Sequence, residues 1–509
     1  MTARLMLLLA LALTASAQHT FDLAGADDPQ PVDGMVSNSV TQLEVGWVGS
    51  NPVVWGSNSF GVLHSTDLGQ TFQTYESVAI MPQEGGVSGL AVGNQLVAIA
   101  TVIDTSIAGV QGAGGGIAYT LDQGSNWTWL PQPMDCYVEG ASNNPADRIA
   151  VSCYDSSDTL EYIGTPTTTT VQNITYELSV EGDSAIWAAS FAGGFRRYSL
   201  ATGQWRNHVV DSNPFDPVAN LNHRAFSVLS ADGGVWAGSA GGLNFMPRGG
   251  TQWTHFDYQH PQENGEPTIT GNWVVVLKRQ ALDGGGEAIW VGGWATFATV
   301  GDYYGLSYTT DDGASWTVIH DMQDHKIWDI AFNGNDVWVA TDDGLFKSNQ
   351  GGADGSWNRY PEIKVVENGV IRREMLVDEI YAVEFVNGQL LVGCTRGLFF
   401  SADGGASWGS TWHQPSAARF FPNPFSPAAF VQATLSVDLP RAGSVTVKLF
   451  DFAMDPVKVV ADGVSLPAGT SELYWDGRNR QGDLVANGVY FYSIEGPGLS
   501  SWGKLMVIR

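Results

Sequence analysis

Between positions 320 and 325 the chain reads His320-Asp321-Met322-Gln323-Asp324-His325, two imidazoles and two carboxylates in one short run. Imidazole and carboxylate are ordinary ligands of a divalent cation, so His320, Asp321, Asp324 and His325 are the candidates for a metal site. The same residues suit a solvated loop whose polar groups bond its own backbone. That is the expectation here, with no metal and no cofactor. Trp294, Tyr303 and Tyr304 offer ring faces on which sugars could stack, and His223, Arg224 and Arg396 are further candidates for a ligand face. Glycoside hydrolysis needs two carboxyl groups flanking the scissile bond. With 52 acidic residues in the chain, some carboxylates will face one another by chance. The few arginines, among them Arg196, Arg197, Arg224, Arg279 and Arg396, sit in no recognisable arrangement. Binding without catalysis is therefore expected, with a secreted glycoside hydrolase as the alternative.

These residues must be held by strands and turns. The stretch Thr309-Thr310-Asp311-Asp312-Gly313-Ala314-Ser315-Trp316 has the form S/T-x-D-x-G-x-x-W/F. It recurs as Ser65, Asp67, Gly69 and Phe72, as Thr120, Asp122, Gly124 and Trp127, and as Ser401, Asp403, Gly405 and Trp408. Such a corner joins two strands: the short Asp accepts turn N–H groups, Gly takes φ > 0, and the aromatic folds back as an anchor. Around each corner the chain repeats an apolar strand, a tight turn, and a second strand such as Val-Trp-Val-Ala-Thr at 337–341. First strands are expected to begin near Val40, Val87, Tyr137, Tyr176, Ala225, Trp273, Ile327 and Ile380, a spacing of about 40–55 residues. One four-stranded sheet cannot bury both faces alone, so the sheets must stack about an axis. The expected fold is all-β, an eight-bladed β-propeller. Seven blades is the alternative, because Tyr137 to Ile174 has no corner motif and holds the Thr-rich run Thr165 to Thr170.

The corner resembles the Asp-box of sialidases, sortilin-type receptors and related BNR-repeat β-propellers. The resemblance covers the group as a whole and implies a scaffold turn, not chemistry. A sialidase would need an Arg cluster, a Tyr backed by Glu, and an opening Arg-Ile-Pro motif; the last is absent. Glucan-cleaving members pair two propellers around a cleft, and there is room here for one. Asp-box corners lie opposite the loops between second and third strands and between blades. Those loops form the expected ligand face, with Thr101 to Gly116, Asp257 to Gly271 and Gly292 to Tyr304 the longest.

The totals fit an extracytoplasmic protein. The net charge of −28 disfavours nucleic acid or an anionic membrane as partner, since both demand Lys and Arg. Arg4, the apolar run Leu5 to Leu13 and the small residues ending at Ala17 read as a signal peptide over 1–17, and no later run suits a membrane helix. Cys136 and Cys153 could pair or remain buried thiols, while Cys394 reads as core.

Near His413 the blade pattern stops. Residues 18–415 are read as the propeller and 416–509 as a small Ig-like β-sandwich entered through Phe421-Pro422-Asn423-Pro424-Phe425. Pro422, Asn423 and Pro424, then Trp475-Asp476-Gly477, Gly488, Tyr490 and Lys504 resemble the Ig-like module of the flagellar hook-capping protein and the type A sorting domain of type IX secretion. Met454 departs from that pattern, which has Gly in the turn after Asp451. The resemblance implies type IX secretion machinery as a partner and a secreted or outer-membrane-surface protein that recognises a glycan, protein or surface partner.

Overall fold

Four consecutive antiparallel strands make a sheet, and seven such sheets follow one another along the chain. The computed structural model describes residues 21–22, 31–82, 85–103, 112–138, 149–151, 172–296, 299–367, 370–376, 379–412, 419–428, 430–439, 442–467, 469–497 and 499–508. The innermost strands are Gln42–Val48, Gly86–Val92, Thr175–Glu181, Ala225–Ser230, Trp273–Ala281, Ile327–Asn333 and Ala382–Val386. Each packs on the next, and the seventh packs on the first, so the ring is closed. The chain is an all-β propeller.

Among the described residues the ring has seven blades, which corrects the expectation of eight in favour of the alternative. Around Tyr137 the described residues form a two-stranded sheet, Cys136–Val138 with Ile149–Val151, and the inner strands of the second and third blades pack directly on each other. The signal peptide over 1–17, the run Thr165 to Thr170 and the Cys136–Cys153 pairing lie outside the described residues. Cys394 is buried with a free thiol.

Burial explains the second strands. Ala185–Ser190, Gly234–Ser239 and Gln389–Cys394 are buried at every position, because both faces of a blade meet a neighbouring blade. Trp55, Trp187, Trp236, Trp290 and Trp338 occupy these strands and are among the largest fully buried side chains.

The four corners share one hydrogen-bond set. Gly69 N–H donates to Ser65 Oγ at 2.9 Å, Ser65 Oγ donates to Asp67 Oδ1 at 2.7 Å, and Thr71 N–H reaches the same oxygen at 2.9 Å. Thr120, Asp122 and Gly124 repeat it, as do Thr309, Asp311 and Gly313, and Ser401, Asp403 and Gly405. Two successive residues take the left-handed conformation, for example Leu68 (φ 60°) and Gly69 (φ 80°). The aromatic at the end of each corner plugs the space beside the preceding blade: Trp127 meets Trp55 at 6.5 Å and Trp316 meets Trp236 at 6.1 Å. The fourth blade lacks the motif, and at its seam with the third blade a groove of about 270 Å³ opens beside Trp187 and His208.

Beyond residue 418 two sheets enclose a single core. Arg419–Phe421, Ala433–Leu439 and Gly469–Trp475 form one; Gly443–Phe450, Pro456–Leu466, Gly488–Gly496 and Leu499–Val507 form the other. Asn423, between cis Pro422 and cis Pro424, ties the entry segment to the last strand: its Oδ1 accepts Met506 N–H at 2.9 Å and its Nδ2 donates to the Lys504 carbonyl. Trp475 is buried and donates to the Arg478 carbonyl at 2.9 Å, across a turn in which Asp476 accepts Arg478 N–H and Gly477 takes φ 76°. Tyr490, just after Gly488, donates to the Ala486 carbonyl. Met454 sits at φ 66°, the conformation glycine would adopt without strain.

Candidate functional site

Inner strands begin at the end of the ring where blades join, and antiparallel alternation puts the third-to-fourth-strand corners at the other end. The first residues of successive inner strands therefore share one mouth. There Tyr176, Phe226, Trp273, Trp294, Trp328 and Tyr381 line a central channel of about 1040 Å³. Phe226 lies 6.0 Å from Tyr176 and 5.7 Å from Trp273; Trp328 lies 4.7 Å from Trp294 and 5.2 Å from Tyr381. The rings form an arc from the third blade to the seventh. The first two blades contribute Thr41, Gln42 and Ser88 instead.

Below the arc the wall is charged. Register sets two depths: Glu177 opposite Ala189 and Asp329 opposite Ala340, then Glu44 opposite Trp55, Lys278 opposite Trp290 and Glu384 opposite Leu391. Lys278 Nζ lies 2.9 Å from Glu44 Oε1 and 3.2 Å from Asp329 Oδ1. Asp329, only 6 % exposed, also accepts Ile330 N–H and, from the seventh blade, Val383 N–H at 3.0 Å. Burial pushes Glu177 and Glu384 up to about 8, with Lys278 only partly offsetting it, and raises Asp329 in the same way. Burial would lower Lys278, but Asp329, Glu44 and Glu384 hold it well above the usual amine value.

The candidates from sequence fall in several places. Trp294 is in the arc, donating to the Ile327 carbonyl at 3.1 Å, and Tyr304 packs on it at 6.2 Å. Lys326 Nζ stands 5.7 Å from the Trp294 ring and 5.5 Å from the Tyr304 ring. Tyr303 turns instead to Tyr258, at 6.2 Å. His223 is buried: Nδ1 accepts Asp216 N–H, Nε2 lies 3.1 Å from Asp211 Oδ1, and the ring stacks on Phe215. Arg224 donates to the carbonyls of Pro217 and Val218, so both residues hold their own loop. Arg396 lies in the turn after Cys394, its N–H on the Cys394 sulfur at 3.3 Å.

The four metal candidates do not converge. His320 meets Asp354 at 2.9 Å, and that hydrogen bond raises its pKa. Asp321 takes Gly355 N–H, the Asp324 N–H goes to the Tyr304 carbonyl, and His325 packs on Phe346 at 4.8 Å. No group of three or more metal-ligating side chains that could hold an ion occurs among the described residues. Sequence reasoning missed Glu44, Glu177, Lys278, Asp329 and Glu384. The available signal was a charged residue inside five of the seven otherwise apolar inner strands, as in Ile-Trp-Asp-Ile-Ala-Phe at 327–332.

No helix among the described residues is long and apolar enough to cross a membrane. No protein-family model matches the chain, and no curated protein matches it. Solved structures with a similar course include PorZ, a surface component of the type-IX secretion system of Porphyromonas gingivalis, at 14 % identity and TM-score 0.40. That likeness covers 91 % of this chain and 65 % of PorZ, so the chain spans just under two thirds of its length. YCF48 from Cyanidioschyzon merolae is similar at 12 % identity, TM-score 0.40, over 74 % of this chain and 98 % of that one. BamB from Moraxella catarrhalis follows at 10 %, TM-score 0.36, over 74 % and 98 %. At these values the likenesses carry no ligand or partner across to this chain.

Proposed function

We propose that the chain is a secreted, surface-delivered binding protein of the Asp-box kind. In this reading the propeller channel recognises a glycan, protein or surface partner, and residues 416–509 are an Ig-like type IX sorting domain. The channel mouth carries it: an arc of six aromatic side chains over a charged floor is a concave, amphipathic surface of the size that ligands fill. Screening the propeller against glycan and peptide arrays tests the reading. Trp328→Ala is expected to weaken any specific ligand at least tenfold by calorimetry, as loss of a central aromatic contact does. Unchanged affinity would move the site away from the channel.

The sorting assignment rests on the entry Pro422-Asn423-Pro424 and on Trp475-Asp476-Gly477 lying in one compact sandwich with its own core. Deleting Phe421 to Arg509 is expected to trap the propeller in the periplasm of a type IX-competent host. Undiminished release to the medium would refute the assignment.

A glycoside hydrolase is the second reading, favoured by one observation. Glu177 and Glu384, pushed up to about 8, keep their protons at neutral pH, as a general acid must. Oligosaccharide turnover lost in Glu177→Gln or Glu384→Gln, with binding retained, would select it.

A further inference from the structure

The channel holds more acid than its half-buried amine offsets. Lys278 is committed to Glu44 and Asp329. Glu177 and Glu384 have no salt-bridge partner within 4.0 Å among the described residues. The other cation on the wall, Arg279, is held by Asp232 at 2.9 Å and Glu287 at 3.5 Å. The remaining titratable groups facing the channel are the phenols of Tyr176 and Tyr381. Above the carboxyls stands the aromatic arc, and ring faces attract a partly desolvated cation. The rim already shows that attraction, in Lys326 against Trp294 and Tyr304.

We propose that the channel takes a cationic peptide segment, with the ammonium of a lysine or the guanidinium of an arginine passing the aromatic arc to be met by the carboxyls of Glu177 and Glu384. This rests on the channel being the ligand site. A bare metal ion fits poorly, because the acids do not form a ligating group. The cavity, about 1040 Å³, also has room for several residues. Burial keeps both acids protonated in the empty channel at pH 7. An entering cation supplies the missing countercharge, and each carboxyl it ionises sends its proton to solvent. Affinity therefore rises with pH up to about 8, by as much as tenfold per unit for each proton displaced.

The test is calorimetry of the whole protein with N-acetyl-hexalysine amide at physiological salt, in buffers of different ionisation enthalpy. The Nε-acetylated hexapeptide and a neutral hexasaccharide are the comparison ligands. Expected are release of one to two protons at pH 7, at least fivefold tighter binding at pH 8 than at pH 6.5, and no binding of the acetylated peptide. Glu177→Gln/Glu384→Gln should weaken hexalysine at least tenfold and flatten the pH profile. Asp283→Asn/Asp462→Asn, the same carboxyl-to-amide exchange at two exposed positions, should leave both unaltered. Equal losses in the two double variants would mean surface attraction only and overturn the proposal. A neutral sugar whose pH-independent binding is lost in Trp328→Ala but kept in Glu177→Gln/Glu384→Gln would overturn the cation and spare the channel. Binding of every ligand untouched by Trp328→Ala would remove the channel itself.

Discussion

Lys278→Met is expected to cost the propeller about 3 kcal/mol of stability at pH 8 and far less at pH 5. Methionine keeps most of the stem's volume, so packing against the fifth-blade strand survives while the charge goes. What remains is Asp329, 6 % exposed, and Glu44, with no amine at 3.2 and 2.9 Å. Removing one partner of a buried pair leaves an uncompensated charge, and that, not the lost attraction, dominates the cost. The pH dependence follows from the direction of the shifts. Glu177, Glu384 and Asp329 are raised by burial, and Lys278 is the strongest influence opposing that rise. A carboxyl raised in the fold contributes stability fully below its unfolded value, and that contribution is lost as pH climbs through its folded value. Without Lys278 the folded values rise further, so the variant loses ground from about pH 4.5 upward and most at pH 8 to 9. Urea unfolding at pH 5, 6.5 and 8 measures this. A deficit equal at all three would mean that Lys278 acts through packing alone.

The corners respond in the opposite sense. Partial burial would raise Asp67, Asp122 and Asp311, but their hydrogen bonds outweigh it and hold them below the usual carboxylate value. In Asp403 the bonds from Ser407 and Ser401 bring the carboxyl to about 2. Depressed carboxyls contribute above about pH 4, and their contribution is lost as pH falls through their folded values. Channel and corners together place the wild-type optimum on the mildly acidic side.

How far the sequence carried depends on what each residue interacts with. The corner motif was legible because its physics is local: Thr309, Asp311 and Gly313 bond within five positions, whatever surrounds them. Inner strands were legible to within about two residues for the same reason, since their Gly and Asn turns are local. The start at Tyr137 shows the limit: among the described residues it gains one partner strand, Ile149–Val151, and a strand-like stretch does not say how many will follow it. Of the channel, Trp294 was legible as an aromatic on the ligand face, but the charged floor was not. Glu44 and Lys278 are 234 positions apart and meet only because the ring closes. The surroundings of His223 and Arg224 were hidden for a related reason: loop composition gave no sign that Asp211, Asp216 and Pro217 would bond them.

Trp316→Ala is the second large effect, and it tests how the seams are sealed. The ring sits 5.3 Å from Phe256 and 6.1 Å from Trp236, both on the fourth blade, and its Nε1 donates to the Gly313 carbonyl. It is 7 % exposed, so truncation removes a large buried surface and leaves a void between rigid sheets that cannot collapse. A loss of about 3–5 kcal/mol is expected in urea, with faster amide exchange in Trp236–Ser239 and Thr254–Phe256. The control is Trp253→Ala. It stands in the fourth blade, which has no corner motif, and it is only partly buried against the third-blade cluster. That seam already carries an open groove, so the same truncation there should cost about 1 kcal/mol. Equal losses at the two tryptophans would show that the corners are ordinary turns, and that the ring is held by its inner strands alone.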